Sequence, residues 1–137
     1  MFLLDTNVVS ELRERARADP RVRAWAQAWP VSEFAISAVT ILELEFGVCS
    51  LARRDPAQGL VLRRWLNDMV LARFEGRILP VDTPVAVRAA HLHVIRTHPQ
   101  RDALVGATAY VHGLTLVTRN VRDFQDSEVD LLNPWAG

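Results

Sequence analysis

The chain has 137 residues, of which 50% are hydrophobic and 23% charged, a size and composition that describe one domain over 1–137, since two would each be too small to bury a core. Sixteen basic residues, every one Arg, and sixteen acidic ones cancel to a formal charge of +0 at pH 7, which excludes the uniform positive field of a nucleic-acid coat protein or membrane-surface peptide. No apolar run approaches the roughly 18 residues of a membrane helix, and Met1-Phe2-Leu3-Leu4-Asp5 lacks the basic region of a secretion signal.

Phe2-Leu3-Leu4 is a short apolar run ending in Asp5-Thr6-Asn7, the pattern of a buried strand that finishes in a polar loop. The polar pattern of 8–17 suits a short helix, and Asp19-Pro20 starts a second over 21–29. Trp25 and Trp29, four residues apart, share a packing face. Phe34-Ala35-Ile36-Ser37 reads as a second strand, and the apolar spacing from Ile41 to Leu51 predicts a helix that Asp55-Pro56 ends. Cys49 lies within it, cannot form an internal disulfide and lacks zinc-ligand spacing, which points to a buried core thiol in a reducing, cytoplasmic setting.

Leu60, Leu62, Trp65, Leu66, Met69, Val70 and Phe74 repeat at helical spacing as far as Glu75-Gly76, the second arm of a helical hairpin. Phe46, Trp65, Leu66 and Met69 read as core, with burial in an interface as the alternative. Ile78 to Val81 forms a third strand, and Asp82-Thr83-Pro84 starts a helix over 83–97. After the interruption at 98–101, Asp102 opens a small-residue helix over 103–110, which Gly113 ends. Leu114-Thr115-Leu116-Val117-Thr118 is a strand, the polar turn 119–124 follows, and 129–132 is a last short run. Alternating strands and helices specify an α/β fold with a parallel sheet of four to five short strands and helices on both faces, joined by right-handed crossovers.

In such sheets ligands bind beyond the carboxyl ends of the strands. Asp5 follows the first strand, Glu43 lies one or two helical turns beyond the second, Asp102 opens the helix feeding the fourth, and Asp123 follows that strand. Each acid has a structural alternative: Thr40-x-x-Glu43 matches a capping box, Asp102 fits a helix N-cap and Asp123 a polar turn. Asp5 is harder to explain that way, because a carboxylate behind a buried strand is costly without a partner. Four acids at one edge repel unless a divalent cation compensates them, and oxygen-only donors suit Mg²⁺ or Mn²⁺. One or two such ions could activate water and stabilise charge at a phosphodiester.

Four ordered blocks resemble one family: Leu4-Asp5-Thr6-Asn7-Val8-Val9-Ser10-Glu11; Ile36-Ser37-Ala38-Val39-Thr40-Ile41-Leu42-Glu43-Leu44 with Phe46-Gly47-Val48; Asp102 to Ala109; and Thr118-Arg119-Asn120-Val121-Arg122-Asp123-Phe124. They resemble the PIN-domain ribonucleases of the VapC/FitB type, toxins of prokaryotic toxin-antitoxin pairs, as does the tail Leu132-Asn133-Pro134-Trp135. The resemblance implies a PIN-like three-layer sandwich and metal-dependent hydrolysis of RNA. It further implies an acidic Mg²⁺ or Mn²⁺ site at Asp5, Glu43, Asp102 and Asp123, supported by Thr6, Thr118 and Asn120. Asn7 has a direct role there or simply closes the loop. The implied partners are RNA, a small cognate antitoxin, operator DNA through that antitoxin, and a second copy of the chain.

The connection from His91-Leu92-His93 to Asp102 is shorter than in many relatives, and Arg101 stands where a small or apolar residue is expected. Arg101, Arg119 and Arg122 flank the third and fourth acids as candidate RNA contacts, against a solvated or ion-paired role, with Arg53-Arg54 and Arg63-Arg64 weaker candidates. His91, His93, His98 and His112 show no nucleophile and base arrangement and read as surface or packing groups. The rival readings are a non-toxin PIN nuclease of RNA processing or repair, a silent antitoxin-binding co-repressor, and a receiver-like or phosphatase-like domain. The last normally shows adjacent acids or Asp-x-Asp, where this chain has Asp5-Thr6-Asn7.

Overall fold

The computed structural model describes residues 1–14 and 16–136. Its sheet contains β1 (Phe2–Leu4), β2 (Phe34–Ser37), β3 (Ile78–Leu79), β4 (Thr115–Val117) and β5 (Leu131–Leu132) in the order β3-β2-β1-β4-β5. Every pairing is parallel. The chain builds outward from β1 through β2 to β3, then returns to β1's other side for β4 and β5. The order therefore reverses beside β1, which places a crevice at its carboxyl end.

Strand alternation divides the core. Leu4, Phe34, Ile36 and Val117 face a cluster with Val8 and Val9 of α1 (Thr6–Glu11), Val22 of α2 (Pro20–Gln27), Leu44 and Val48 of α3 (Ala38–Arg54), and Leu66 and Val70. Leu3, Ala35 and Leu116 face the other way, onto Val105 and Ala109 of α6 (Gln100–His112). Behind α6 packs α5 (Thr83–Ile95), through Val85, Ala89 and Leu92. The inner strands thus bury both faces, as expected of a parallel sheet in three layers, while the edge strands β3 and β5 are half-buried. The shared face of Trp25 and Trp29 exists, with ring centroids 5.2 and 4.9 Å from that of Phe2.

The helix boundaries correct several expectations. The first helix covers Thr6–Glu11, not 8–17, because the Asp5 carboxylate accepts from the Thr6 N–H and caps it early. Ser37 caps α3, accepting from the Val39 N–H, so Thr40 and Glu43 lie inside the helix and form no capping box. Likewise α6 starts at Gln100 behind Pro99, and Asp102 sits in its first turn rather than at its cap. The second arm of the hairpin starts at Pro56 as α4 (Pro56–Trp65) and continues as a π-helical turn, Leu66–Leu71. Leu66 is core at 0% exposure, whereas Phe46 and Met69 are exposed and Trp65 is partly buried. Cys49 is exposed, not core: it occupies the outer face of α3 with its Sγ 3.2 Å from Glu45 Oε2. Gly113 ends α6 in the left-handed conformation, as the sequence predicts. Among the described residues no helix is long and apolar enough to cross a membrane.

Candidate active site

Asp5 closes β1 at the point where the strand order reverses. Its N–H donates to the Val117 carbonyl of β4 at 2.9 Å, which fixes the backbone. Its Oδ1 then accepts from the Thr6 N–H, while Oδ2 accepts from Thr118 Oγ1 at 2.8 Å and from Asn7 Nδ2 at 3.4 Å. Only 8% of Asp5 is exposed. Burial pushes its carboxyl above the usual range; the hydrogen bonds from Thr118 and Thr6 oppose that, and the charges of Glu43 and Asp123 add to it.

Thr118 is the centre of the polar network. Its hydroxyl donates to Asp5 and accepts from the Asn120 N–H at 3.0 Å and from Asn7 Nδ2 at 3.4 Å. Asn120 thus contributes its backbone N–H. Asn7 does more than close a loop, because its Oδ1 also accepts from the Arg119 N–H at 3.4 Å. On the other side of Asp5, Thr6 Oγ1 donates to Glu43 Oε1 at 2.7 Å and lies 3.0 Å from the hydroxyl of buried Thr40. Thr40 is a site neighbour that the sequence presented only as a cap.

Asp102 is half-buried in the first turn of α6. Its carboxyl is raised by burial first and then by the charges of Asp5, Asp123 and Glu43. That mutual influence brings all four sequence-selected acids into one electrostatic neighbourhood. Asp123 is exposed in the 3₁₀ segment Val121–Ser127. Arg96, which the sequence did not single out, holds this segment: Nη2 donates to the Asp123 carbonyl at 3.0 Å and Nε pairs with Asp126 at 2.6 Å. Arg88 adds a second tie to the Ser127 carbonyl at 3.3 Å. Only tertiary contact reveals either role.

Arg101 reaches within 3.8 Å of Glu43 Oε2, so the residue that departed from the family pattern stands at the mouth of the site. Arg119 lies over the Trp135 ring at 5.3 Å, and Arg122 is exposed with no ion pair among the described residues. His98 is buried and the other three histidines are exposed, in keeping with packing and surface positions.

The donors at this edge are carboxylates and hydroxyls, the chemistry of a hard cation. Among the described residues no three or more His, Cys, Asp or Glu side chains are grouped closely enough to hold a metal ion by themselves. A cation that keeps several waters and takes one or two carboxylates directly fits such an open arrangement, and Mg²⁺ behaves in this way. A buried Asp5 carboxylate facing like charges gains most from that compensation.

A PIN domain model matches residues 2–128. The chain is 38% identical to Toxin FitB of Neisseria gonorrhoeae over 140 residues, covering 98% of this chain and 99% of that one. It is 33% identical to VapC ribonuclease Y4jK of Sinorhizobium fredii, covering 98% of each. The solved structure of FitAB bound to an IR36 DNA fragment superposes with a TM-score of 0.88 at 34% identity, covering 98% of this chain and 96% of that one.

Proposed function

The chain belongs to the PIN-domain family, and from that membership we propose that it is a divalent-metal-dependent endoribonuclease, the toxin of a toxin-antitoxin pair. The observation that carries this reading is Asp5. It is a desolvated carboxylate at the reversal point of the sheet, under the influence of acids from three other segments.

In this reading Asp5, Glu43, Asp102 and Asp123 would together hold Mg²⁺ or Mn²⁺, directly or through its waters, and the ion would supply an activated water and charge stabilisation on the leaving oxygen of the phosphodiester. Thr118 and Thr6 fix the Asp5 and Glu43 carboxylates by short hydrogen bonds. Arg101, Arg119 and Arg122 attract the RNA phosphates that the acids alone would repel. Arg101 stands 3.8 Å from Glu43 Oε2, a long contact that would leave its guanidinium able to meet a phosphate. No side-chain nucleophile is needed.

The partners are a small antitoxin and operator DNA reached through that antitoxin, a reading supported by FitAB on its DNA fragment, and a second copy of the chain completes the proposed assembly. The exposed Phe46 and Met69 provide apolar surface for such contacts. The test is incubation of antitoxin-free protein with total bacterial RNA, in Mg²⁺ or Mn²⁺ and in excess chelator, with mapping of the RNA ends. Discrete cuts that vanish in chelator and in Asp102→Asn are expected. Intact RNA from folded protein would instead favour a silent co-repressor.

A further inference from the structure

Gly47 occupies the middle of α3, where glycine weakens a helix relative to alanine. Packing does not require it: a Cβ built there meets no atom within 4 Å. Gly59, across the helical hairpin, is the contrast, since its Cβ would lie 2.6 Å from Ala52 Cα and its absence lets α3 and α4 approach.

The space beside Gly47 is a groove of about 470 Å³ between α1, α3 and α4. Thr6 and Glu43, already joined by a hydrogen bond at the carboxylate edge, form one end of it. Glu43 and Gly47 are four residues apart on one helix face, about 6 Å along the axis. A chain bound at the carboxylates therefore enters the groove at its next unit. Leu44, Leu62 and the Trp65 indole supply an apolar wall, and the opposite side is polar, with Ser10, Arg13 and Arg17 as hydrogen-bond donors and the Glu11 and Glu14 carboxylates as acceptors. Trp65 is also packed against the core, which makes it a fixed platform. Arg13 contacts Glu14 through one nitrogen at 3.1 Å, leaving other guanidinium donors to point elsewhere.

We propose that this groove is a nucleobase slot, which takes the base of a nucleotide flanking the cleaved phosphodiester, stacks it on Trp65, and is kept open by the missing side chain at Gly47. Proteins that read RNA by sequence stack unpaired bases on aromatic side chains and bond their edges with polar groups, and the lining offers both. The proposal rests on the ribonuclease reading above and adds where base preference arises.

The test fills the slot. Gly47→Ala and Gly47→Leu both raise helix propensity, so their melting temperatures hold or rise while the groove narrows. Cleavage is followed in Mn²⁺ on a fluorescein-labelled single-stranded RNA oligonucleotide carrying the cut mapped in total bacterial RNA. KM is expected to increase with side-chain size, by roughly tenfold or more for Gly47→Leu, with weaker base preference beside the cut and a smaller change in kcat. If Gly47→Leu melts early, Gly47→Gln provides the same obstruction with a more flexible side chain. Wild-type KM and base preference in a folded, filled variant overturn the slot. So does a variant that cuts normally and no longer binds the antitoxin, since the groove then belongs to that partner. Wild-type protein that leaves all RNA intact overturns the ribonuclease reading itself, and the slot with it.

Discussion

Thr118 Oγ1 donates to Asp5 Oδ2 at 2.8 Å, a bond between residues 113 positions apart that joins the ends of two adjacent strands. The same hydroxyl accepts from the Asn120 N–H, so one side chain fixes both the buried carboxylate and the turn leading to Asp123. Thr118→Val keeps the shape and removes both of these bonds together with the one from Asn7 Nδ2. A 10- to 100-fold loss of Mn²⁺ affinity or activity is expected, in the range seen for groups that orient metal-binding carboxylates. Thr118→Ser restores most of it. Metal titration of cleavage on one RNA distinguishes them, and wild-type behaviour in Thr118→Val would contradict the role.

Asp5→Asn should remove activity without weakening the fold. The amide can still cap α1 through the Thr6 N–H, and it removes a charge that burial and neighbouring acids disfavour. Because the folded-state carboxyl titrates above its ordinary 3.8, the acid is most compatible with the fold below that pH and costs stability as rising pH ionises it. The variant's melting temperature should therefore match or exceed the wild type's in metal-free buffer at neutral pH. Its advantage shrinks under acid and in Mn²⁺. Thermal denaturation at several pH values, with and without Mn²⁺, checks both shifts.

Arg96 ties α5 to the segment carrying Asp123 through the Asp123 carbonyl and the Asp126 carboxylate. Its ion pair is largely exposed, so Arg96→Gln should cost under about 1 kcal/mol of global stability. The local effect is larger. Faster amide exchange over 121–127 and roughly tenfold weaker Mn²⁺-supported cleavage are expected, and unchanged exchange in that segment would refute the clamp.

Glu45 lies on the outer face of α3, where Arg63 of α4 holds it by a two-pronged ion pair. The Arg63 hydrogen bond, followed by that of Cys49, lowers the Glu45 pKa from 4.5 to about 2. A depressed folded-state pKa stabilises the protein above the unfolded value, so the contribution is present above about pH 4.5 and disappears as pH falls towards 2. Solvent and salt screen the pair. Glu45→Gln should lower the melting temperature slightly at pH 7, less in high salt, and not at all near pH 2.

Much of this was legible because the relevant signals are local. Phe2-Leu3-Leu4 followed by Asp5, and Leu114 to Thr118 followed by the polar turn, identify strands ending in chemistry without tertiary information. The acids stand out because they recur behind such strands. Helix starts were less legible, since several residues at each start can cap: Ser37 prevailed over Thr40, and Pro99 preceded Asp102. Cys49 is exposed where the sequence predicts core, because small apolar character is a weak guide to which side of an amphipathic helix faces water. Arg96 and the space beside Gly47 depend on elements distant in sequence.

Titration of Mn²⁺ into the metal-free protein, followed by the paramagnetic resonance of free Mn²⁺, tests the acidic site most directly when repeated for Asp5→Asn, Glu43→Gln, Asp102→Asn and Asp123→Asn. The account predicts saturable binding by the wild type, its loss in Asp5→Asn and Asp102→Asn, weakened binding in the other two, and cleavage that follows occupancy. Wild-type Mn²⁺ affinity in all four variants, each folded, would contradict it.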